Sequence, residues 1–326
     1  MDNLHRKGSE LNAARFPEEG IEFVKGDVRF LDQLLEIQGD FDLVIDASAE
    51  PSVHAGKAGE EQAYVIQTNL NGTIHCLQFA QERNAAVIFL STSRVYSIDA
   101  LREIRLEDQA TRLTPAQEQS FSGLSGQGVS ESFPTTGLGA RSIYGTTKLA
   151  SELFAEEFAH SAGVPCVVNR CGVIAGPGQF GKTDQGVFTL WVAHHFFEKP
   201  LRYTGFGGHG HQVRDILHPA DLYELISLQI ESMDNLKGDV FNVGGGVEGS
   251  VSLAEYTSLC SEATGKTIPI ACEPQTSPVD IPWYVTDYSL AKERFGWQPR
   301  RKPSQIVGEI NNWLRTEGEL TKSIFA

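Results

Sequence analysis

Ala86-Val87-Ile88-Phe89-Leu90-Ser91-Thr92-Ser93 is an apolar run ending in three hydroxyls, and its reading decides the fold. Bulky and β-branched residues without polar alternation predict a strand buried on both faces, as in a parallel sheet covered by helices. Upstream of it, Ala63 to Glu82 carries a helical period and Phe41 to Ala47 is a second buried strand. Farther out, Leu31 to Ile37 reads as a short helix and Ile21 to Val24 as a strand. Downstream, a helix from Tyr144 to His160 precedes a strand at Cys166 to Arg170. This alternation predicts an α/β fold built on a doubly wound parallel sheet.

A polar stretch from Ser97 to Arg141, with a Ser/Gly-rich tract at Phe121 to Val129, interrupts the alternation without ending it. After Gly172 the elements become patchier: helices near Val187 to Phe197, Pro219 to Ser232, Ser289 to Phe295 and Pro303 to Thr316, with strands at Leu201 to Thr204 and Val240 to Val243. The expected division is a sheet domain over 1–171, with a loop excursion at 97–141, and a smaller C-terminal lobe over 172–326. Residues 210–245 are expected to return to the sheet domain. Ligands of such folds bind at the carboxyl ends of the strands.

The 326 residues carry 27 Lys and Arg against 42 Asp and Glu, a formal net charge of −15. The longest basic run is Arg300-Arg301-Lys302, too short for a surface that tracks nucleic-acid phosphates. No stretch is apolar enough to span a bilayer, and the first residues are charged rather than signal-like. The five cysteines, Cys76, Cys166, Cys171, Cys260 and Cys272, form no Cys-x-x-Cys pair, so neither a disulfide framework nor a metal site is expected. A reducing cytoplasm suits them.

Tyr144 and Lys148 lie four apart at the start of a helix and share one face. An ammonium beside a phenol favours the phenolate and lowers the tyrosine pKa toward a range useful for a general base. The hydroxyls at the end of the 86–93 strand can share a hydrogen bond with a substrate alcohol and with that phenol. By themselves, the Tyr-x-x-x-Lys spacing is a common helix turn and the hydroxyls an ordinary Ser/Thr turn; together they point to a catalytic set.

That set resembles the Ser/Thr, Tyr, Lys constellation of the extended short-chain dehydrogenase/reductases, the NAD-dependent nucleotide-sugar epimerases and dehydratases. The resemblance implies a Rossmann-like fold, NAD as cofactor, a nucleotide-sugar substrate and a homodimer formed through the helices near Ala63 to Glu82 and Ala140 to His160. Thr92, Tyr144 and Lys148 are implied as catalytic, Thr92 being chosen because it lies three residues before Val95. The cofactor set implied is Asp2, Asn3, Asp27, Val28, Ser48, Ala49, Asn69 and Arg170, together with Tyr144 and Lys148. Substrate contacts are implied at Thr92, at Gln179 and Gln185 around the Asp184-Gln185-Gly186 motif, and at Arg214 within Gln212-Val213-Arg214-Asp215. The fork of Arg214 suits a diphosphate, the alternative being a surface ion pair with Asp215 or Asp221. These last motifs are most similar to the branch that epimerises a CDP-linked sugar at C2, with 4-epimerisation or dehydration of a UDP- or dTDP-sugar, or a catalytically silent chain, as the alternatives.

The sequence departs from the family in several places. It has no Gly-x-x-Gly-x-x-Gly turn for the cofactor pyrophosphate, and it begins at the acidic residue that would end the second strand, so the first strands are expected to be lacking and NAD to bind weakly. Glu50 stands where Gln is usual, Ser97 where Gly is, Ile143 where Pro often is, and Ser277 where a second diphosphate arginine is common.

Overall fold

The computed structural model describes residues 1–56, 59–137, 139–181 and 185–325. They divide into two compact units, the first made of Met1–Val95, Arg141–Cys171 and Glu224–Asn242, the second of Tyr96–Ala140, Gly172–Tyr223 and Val243–Ala326. The excursion after residue 96 thus belongs to the second unit, and 224–242 to the first.

The first unit is built on a four-stranded sheet whose spatial order follows the sequence: β1 (Leu43–Asp46), β2 (Ala86–Thr92), β3 (Cys166–Cys171) and β4 (Lys237–Val243). β2 is parallel to both β1 and β3, with Ile45 opposite Ile88 and Ser91 opposite Arg170. Every residue of β3 is buried, the polar Asn169 and Arg170 included. Helices α1 (Gly72–Arg83) and α2 (Ile143–Ser161) cover one face of the sheet. Leu77 and Ala80 of α1 and Ala155 and Ala159 of α2 pack with Val87, Phe89, Cys166 and Val168 in one core cluster. A fully buried side chain such as Phe89 contributes roughly 1.5–3 kcal/mol by leaving water.

The helix expected over Ala63 to Glu82 is three successive pieces: an α-helix at Gly59–Ile66, a π turn at Gln67–Asn71, and α1. The strand expected at Ile21 to Val24 does not form. Lys25 makes one isolated parallel bridge to Asp2, because no neighbouring strand extends the pairing. The last helix runs over Pro303–Phe325, past the expected end at Thr316, because a single glycine, Gly318, costs a helix only about 1 kcal/mol and does not end it.

In the second unit Val213–Leu217 is the central strand, antiparallel to Ser250–Ser252 and parallel to Trp283–Tyr284 and Val173–Ile174. Leu201–Thr204 pairs in parallel with Ile270–Glu273. The excursion folds as two small hairpins, 106–115 and 124–129. Gly128, at φ +126°, crosses so close to the chain just after Trp283–Tyr284 that a Cβ would lie 2.3 Å from the Val285 carbonyl oxygen. Ser97 needs no glycine freedom: its backbone is extended, and its hydroxyl caps the helix Ile98–Glu103 by accepting from the Ala100 N–H at 3.3 Å. Ile143 occupies the first helical position after the Ser142 cap, where proline is favoured for its fixed φ but not needed.

Candidate active site

α2 begins where Ser142 accepts a hydrogen bond from the Gly145 N–H at 3.1 Å. Gly145 then lets the helix lie against the turn after β2, where a Cβ would meet the Arg94 carbonyl oxygen at 2.2 Å. That close approach sets Tyr144 beside the end of β2, and its phenol is hydrogen-bonded to the Thr92 hydroxyl. Thr92 Oγ1 also accepts from the Arg94 N–H at 3.2 Å. The expected pair of hydroxyl and phenol is therefore assembled, with both residues buried.

One turn on, Lys148 is buried as well, and its ammonium donates to the carbonyls of Ser48 (3.2 Å) and Leu90 (3.0 Å) while lying 4.5 Å from the centre of the Phe89 ring. Two of its three donors are thus held by protein and one is left for a ligand. Burial pushes the Lys148 ammonium below its usual range, and Asp46 is the largest of the charges working the other way. Tyr144 differs from the expectation. Its phenol is pushed up, because burial outweighs the hydrogen bond from Thr92, and Lys148 points to backbone carbonyls rather than to the phenol.

The residues expected to face a cofactor fall into three clusters. Asn3 donates to Asp27 at 3.0 Å, and Arg29 grips the same carboxylate at 2.7 Å. Burial alone would raise Asp27, but the bonds from Arg29 and Asn3 prevail and hold it at about 2. Asp2 accepts from the Leu4 N–H in the adjoining turn, and the Val28 carbonyl takes the ring N–H of His75 at 2.7 Å. In the second cluster the π turn presents Asn69, whose amide accepts from the Glu50 N–H at 2.7 Å and donates to the Glu50 carbonyl at 3.1 Å. A π turn shifts one side chain out of the α register, and Asn69 is the one that reaches across to the Ser48-Ala49-Glu50 loop.

The third cluster is Arg170. Its guanidinium donates to Glu152 through Nε (3.0 Å) and Nη2 (2.7 Å), and the Ser91 hydroxyl donates to the same carboxylate at 2.5 Å. Glu152 lies on the face of α2 that carries Tyr144 and Lys148, eight and four residues earlier. In the sequence this carboxylate is marked only by its spacing on the helix, and Gly145 only by its place after Tyr144, so neither stands out there.

The substrate residues expected in the second unit are held as follows. Gln179 donates to the Ile174 carbonyl (2.9 Å) and accepts from Thr189 (2.6 Å), which ties its loop to the helix Val187–Phe196. Gln185 is half-buried and takes part in an isolated bridge, while Asp184 lies outside the described residues. Arg214 donates to the carbonyls of Val213 (2.7 Å) and Ile281 (2.6 Å) and pairs with Asp280 at 3.1 Å. Of the alternative partners, Asp221 pairs with Arg301 at 2.6 Å, and Asp215 accepts from the Gly246 N–H at 3.0 Å. The carbonyl of Ser277 accepts from Arg102 at 2.9 Å. Among the described residues no group of three or more His, Cys, Asp or Glu is placed to hold a metal ion, and no helix is long and apolar enough to cross a membrane.

A family model described as the NAD dependent epimerase/dehydratase family matches residues 2–244. The chain is 26% identical over 328 residues to CDP-paratose 2-epimerase of Salmonella typhi, covering 96% of this chain and 90% of that protein. It is 27% identical over 290 residues to an uncharacterized UDP-glucose epimerase of Bacillus subtilis, covering 87% and 77%. Among solved structures, UDP-glucuronic acid 4-epimerase from Bacillus cereus in complex with UDP-glucuronic acid and NAD matches with a TM-score of 0.73 at 20% identity, over 94% of this chain and 87% of that one. UDP-glucose 4-epimerase of Thermus thermophilus, in complex with NAD, matches at 0.70 and 20%, over 91% and 86%. At that identity the two structures speak for a shared Rossmann-like fold.

Proposed function

From the premise that this chain belongs to the NAD dependent epimerase/dehydratase family, we propose that it epimerises a nucleotide-linked sugar, in the manner of a CDP-paratose 2-epimerase. The observation that carries the reading is the hydrogen-bonded Tyr144 and Thr92 pair beside the buried Lys148. Support for the CDP-sugar branch comes from similarity that runs through nearly the whole of both chains. A dehydratase would be expected to carry an acidic pair just after Thr92, where this chain has Ser93-Arg94.

The residues at the nicotinamide end fit the family's cofactor, on the observation that Lys148 keeps one donor beyond its two carbonyls. Asn69 and the Ser48-Ala49 loop would line that end, and Asp2, Asn3, Asp27 and Val28 the adenosine end. When bound, NAD would supply the hydride acceptor, and then the hydride donor, for the sugar carbon. Tyr144, as the phenolate, takes the proton of the sugar hydroxyl as that carbon becomes a carbonyl, and gives it back when the alcohol re-forms. Thr92 orients the hydroxyl toward the phenol. Lys148 holds the ribose and keeps positive charge near that phenolate. Arg170 stands behind this set, through Glu152, rather than in it. On this reading the first unit holds the cofactor and the second the nucleotide sugar.

Arg214 tests the substrate class. One charge-assisted contact to a diphosphate contributes roughly 2 to 4 kcal/mol, so Arg214→Ala is expected to weaken CDP binding by about 30-fold to 1000-fold and to leave cytidine binding unchanged. Calorimetry with both ligands decides the matter. Equal losses for CDP and cytidine would make Arg214 a support of the 280–281 segment and remove the main residue-level argument for a nucleotide sugar.

We also propose a homodimer formed through the helices of the first unit, which expose Ile66 (36%), Leu153 (62%) and Phe154 (41%). Leu153→Glu is expected to convert it to a monomer in light scattering at micromolar concentration; a wild-type protein that is already monomeric there would end the idea. Five free cysteines support a cytoplasmic setting.

A further inference from the structure

β1 ends in a buried carboxylate that the reaction outlined above does not use. Asp46 is 3% exposed. One of its oxygens accepts from the Ser48 N–H (2.9 Å) and the Ser48 hydroxyl (2.6 Å), and the other from the Thr73 hydroxyl (2.8 Å). All three donors are neutral, and among the described residues no cation forms an ion pair with this carboxylate. The ammonium of Lys148 is bound to the carbonyl of the same Ser48, at 3.2 Å.

We propose that Asp46 is a positioning residue for the Lys148 ammonium and acts through Ser48, which accepts from the lysine with its carbonyl and donates to the aspartate with its N–H and hydroxyl. The inference rests on the assignment of Lys148 to the reacting site. It does two things for that site. Gripping Ser48 from two sides fixes the carbonyl that aims the ammonium, and the carboxylate supplies the negative charge that keeps a desolvated lysine protonated.

The other groups that face Lys148 do not supply that charge. Cys76 on α1 and Cys171 on β3 are buried thiols, pushed up by desolvation, Cys171 to about 12, and are neutral in the working range. Glu152, on the lysine's own helix, is covered by the Arg170 fork. Phe89 offers only the face of its ring. Asp46 is left as the one carboxylate in the set without a cationic partner, and its influence on Lys148 is the largest among the charged groups.

The sign follows from linkage: an anion near an ammonium raises the pH at which the ammonium loses its proton, and removing the anion lowers it. Asp46→Asn removes the charge while keeping an oxygen for Ser48 and an amide that can donate to Thr73. In protein labelled with 13C at the lysine ε-carbon, the Lys148 signal is identified by its loss in Lys148→Met and followed from neutral to alkaline pH. The midpoint in Asp46→Asn is expected to fall by about one pH unit or more, a tenfold change in acidity. Asp46→Ser, which also removes the charge, should behave alike and serves if Asn strains the end of β1. Thr73→Val removes a hydrogen bond from the carboxylate and keeps its charge, and should leave the midpoint in place. An unmoved midpoint in both charge-removing variants overturns the inference, and so does an equal fall in Thr73→Val. The readout needs no turnover: a midpoint that falls in a wild-type background unable to epimerise nucleotide sugars would end the proposed function and leave Asp46 in place.

Discussion

Replacing Tyr144 by Phe is expected to lower epimerisation about 10²- to 10⁴-fold in enzyme supplied with NAD, while nucleotide-sugar affinity stays within about tenfold. The change removes a single oxygen. Phe fills the same space on α2, so the helix, the Gly145 contact and the core beneath it are left as they were. What is lost is the acceptor for the sugar hydroxyl proton, and with it the partner that Thr92 holds. The fold-change corresponds to roughly 3 to 5 kcal/mol of transition-state stabilisation, far above what one phenol contributes to ground-state binding. Interconversion of the two epimers followed by NMR, with affinity measured in parallel, separates the two quantities. A Tyr144→Phe protein that keeps more than a tenth of the wild-type rate would remove the tyrosine from the chemistry.

Glu152→Gln is expected to have the largest effect on stability. Glu152 and Arg170 are buried, with side-chain exposures of 4% and 9%, and the carboxylate is the acceptor for both the guanidinium fork and Ser91. Removing its charge takes from the buried guanidinium the carboxylate that its fork grips, a loss of about 3–5 kcal/mol for a pair of this kind. Urea unfolding should show the midpoint fall with the slope unchanged. A loss under about 1 kcal/mol would mean that water reaches the pair and that it does not bind β2, β3 and α2 together. Replacing both partners by apolar residues should cost less than the single change, since no charge is then stranded.

The parts of this molecule legible in the sequence are those whose cause is local. β2 opens with five apolar residues in a row and β3 with three, α2 has a helical period and a serine cap, and Tyr144, Lys148 and Thr92 sit at spacings that a helix and a strand end convert directly into proximity. The illegible parts have distant causes. Ile21 to Val24 has the composition of a strand, but a strand also needs a neighbour, and only the bridge between Asp2 and Lys25 is made. The π turn leaves no mark in composition, since it differs from an α-helix by one hydrogen-bond register. Asp46 reads as the last residue of a buried strand, and its meaning depends on Thr73 and Ser48. Glu152 is an ordinary helical glutamate until Ser91 and Arg170, 61 and 18 residues away, are brought to it.

The expectation for Tyr144 itself went the other way for a physical reason. Sharing a helix face with an ammonium does not aim the ammonium at the phenol, and here two carbonyls hold it. Burial then dominates and the phenol is pushed up.

The first unit is assembled from three separated stretches of chain, and β4 comes from the last of them. Asn169 on β3 and Gln229, in the helix Pro219–Glu231, exchange two amide hydrogen bonds of 2.8 Å in the buried interior, so this late segment is keyed into the sheet as well as laid against it. On the ribosome, β1, β2, β3 and α2 emerge well before the residues that complete their sheet, at roughly 5–20 residues per second. For that interval β3 offers an unpaired edge and an amide without its partner, the condition in which strands find wrong neighbours. Burden on chaperones during synthesis therefore falls on the window between residues 171 and 242, set by the order of the segments along the chain and not by the stability of the finished domain.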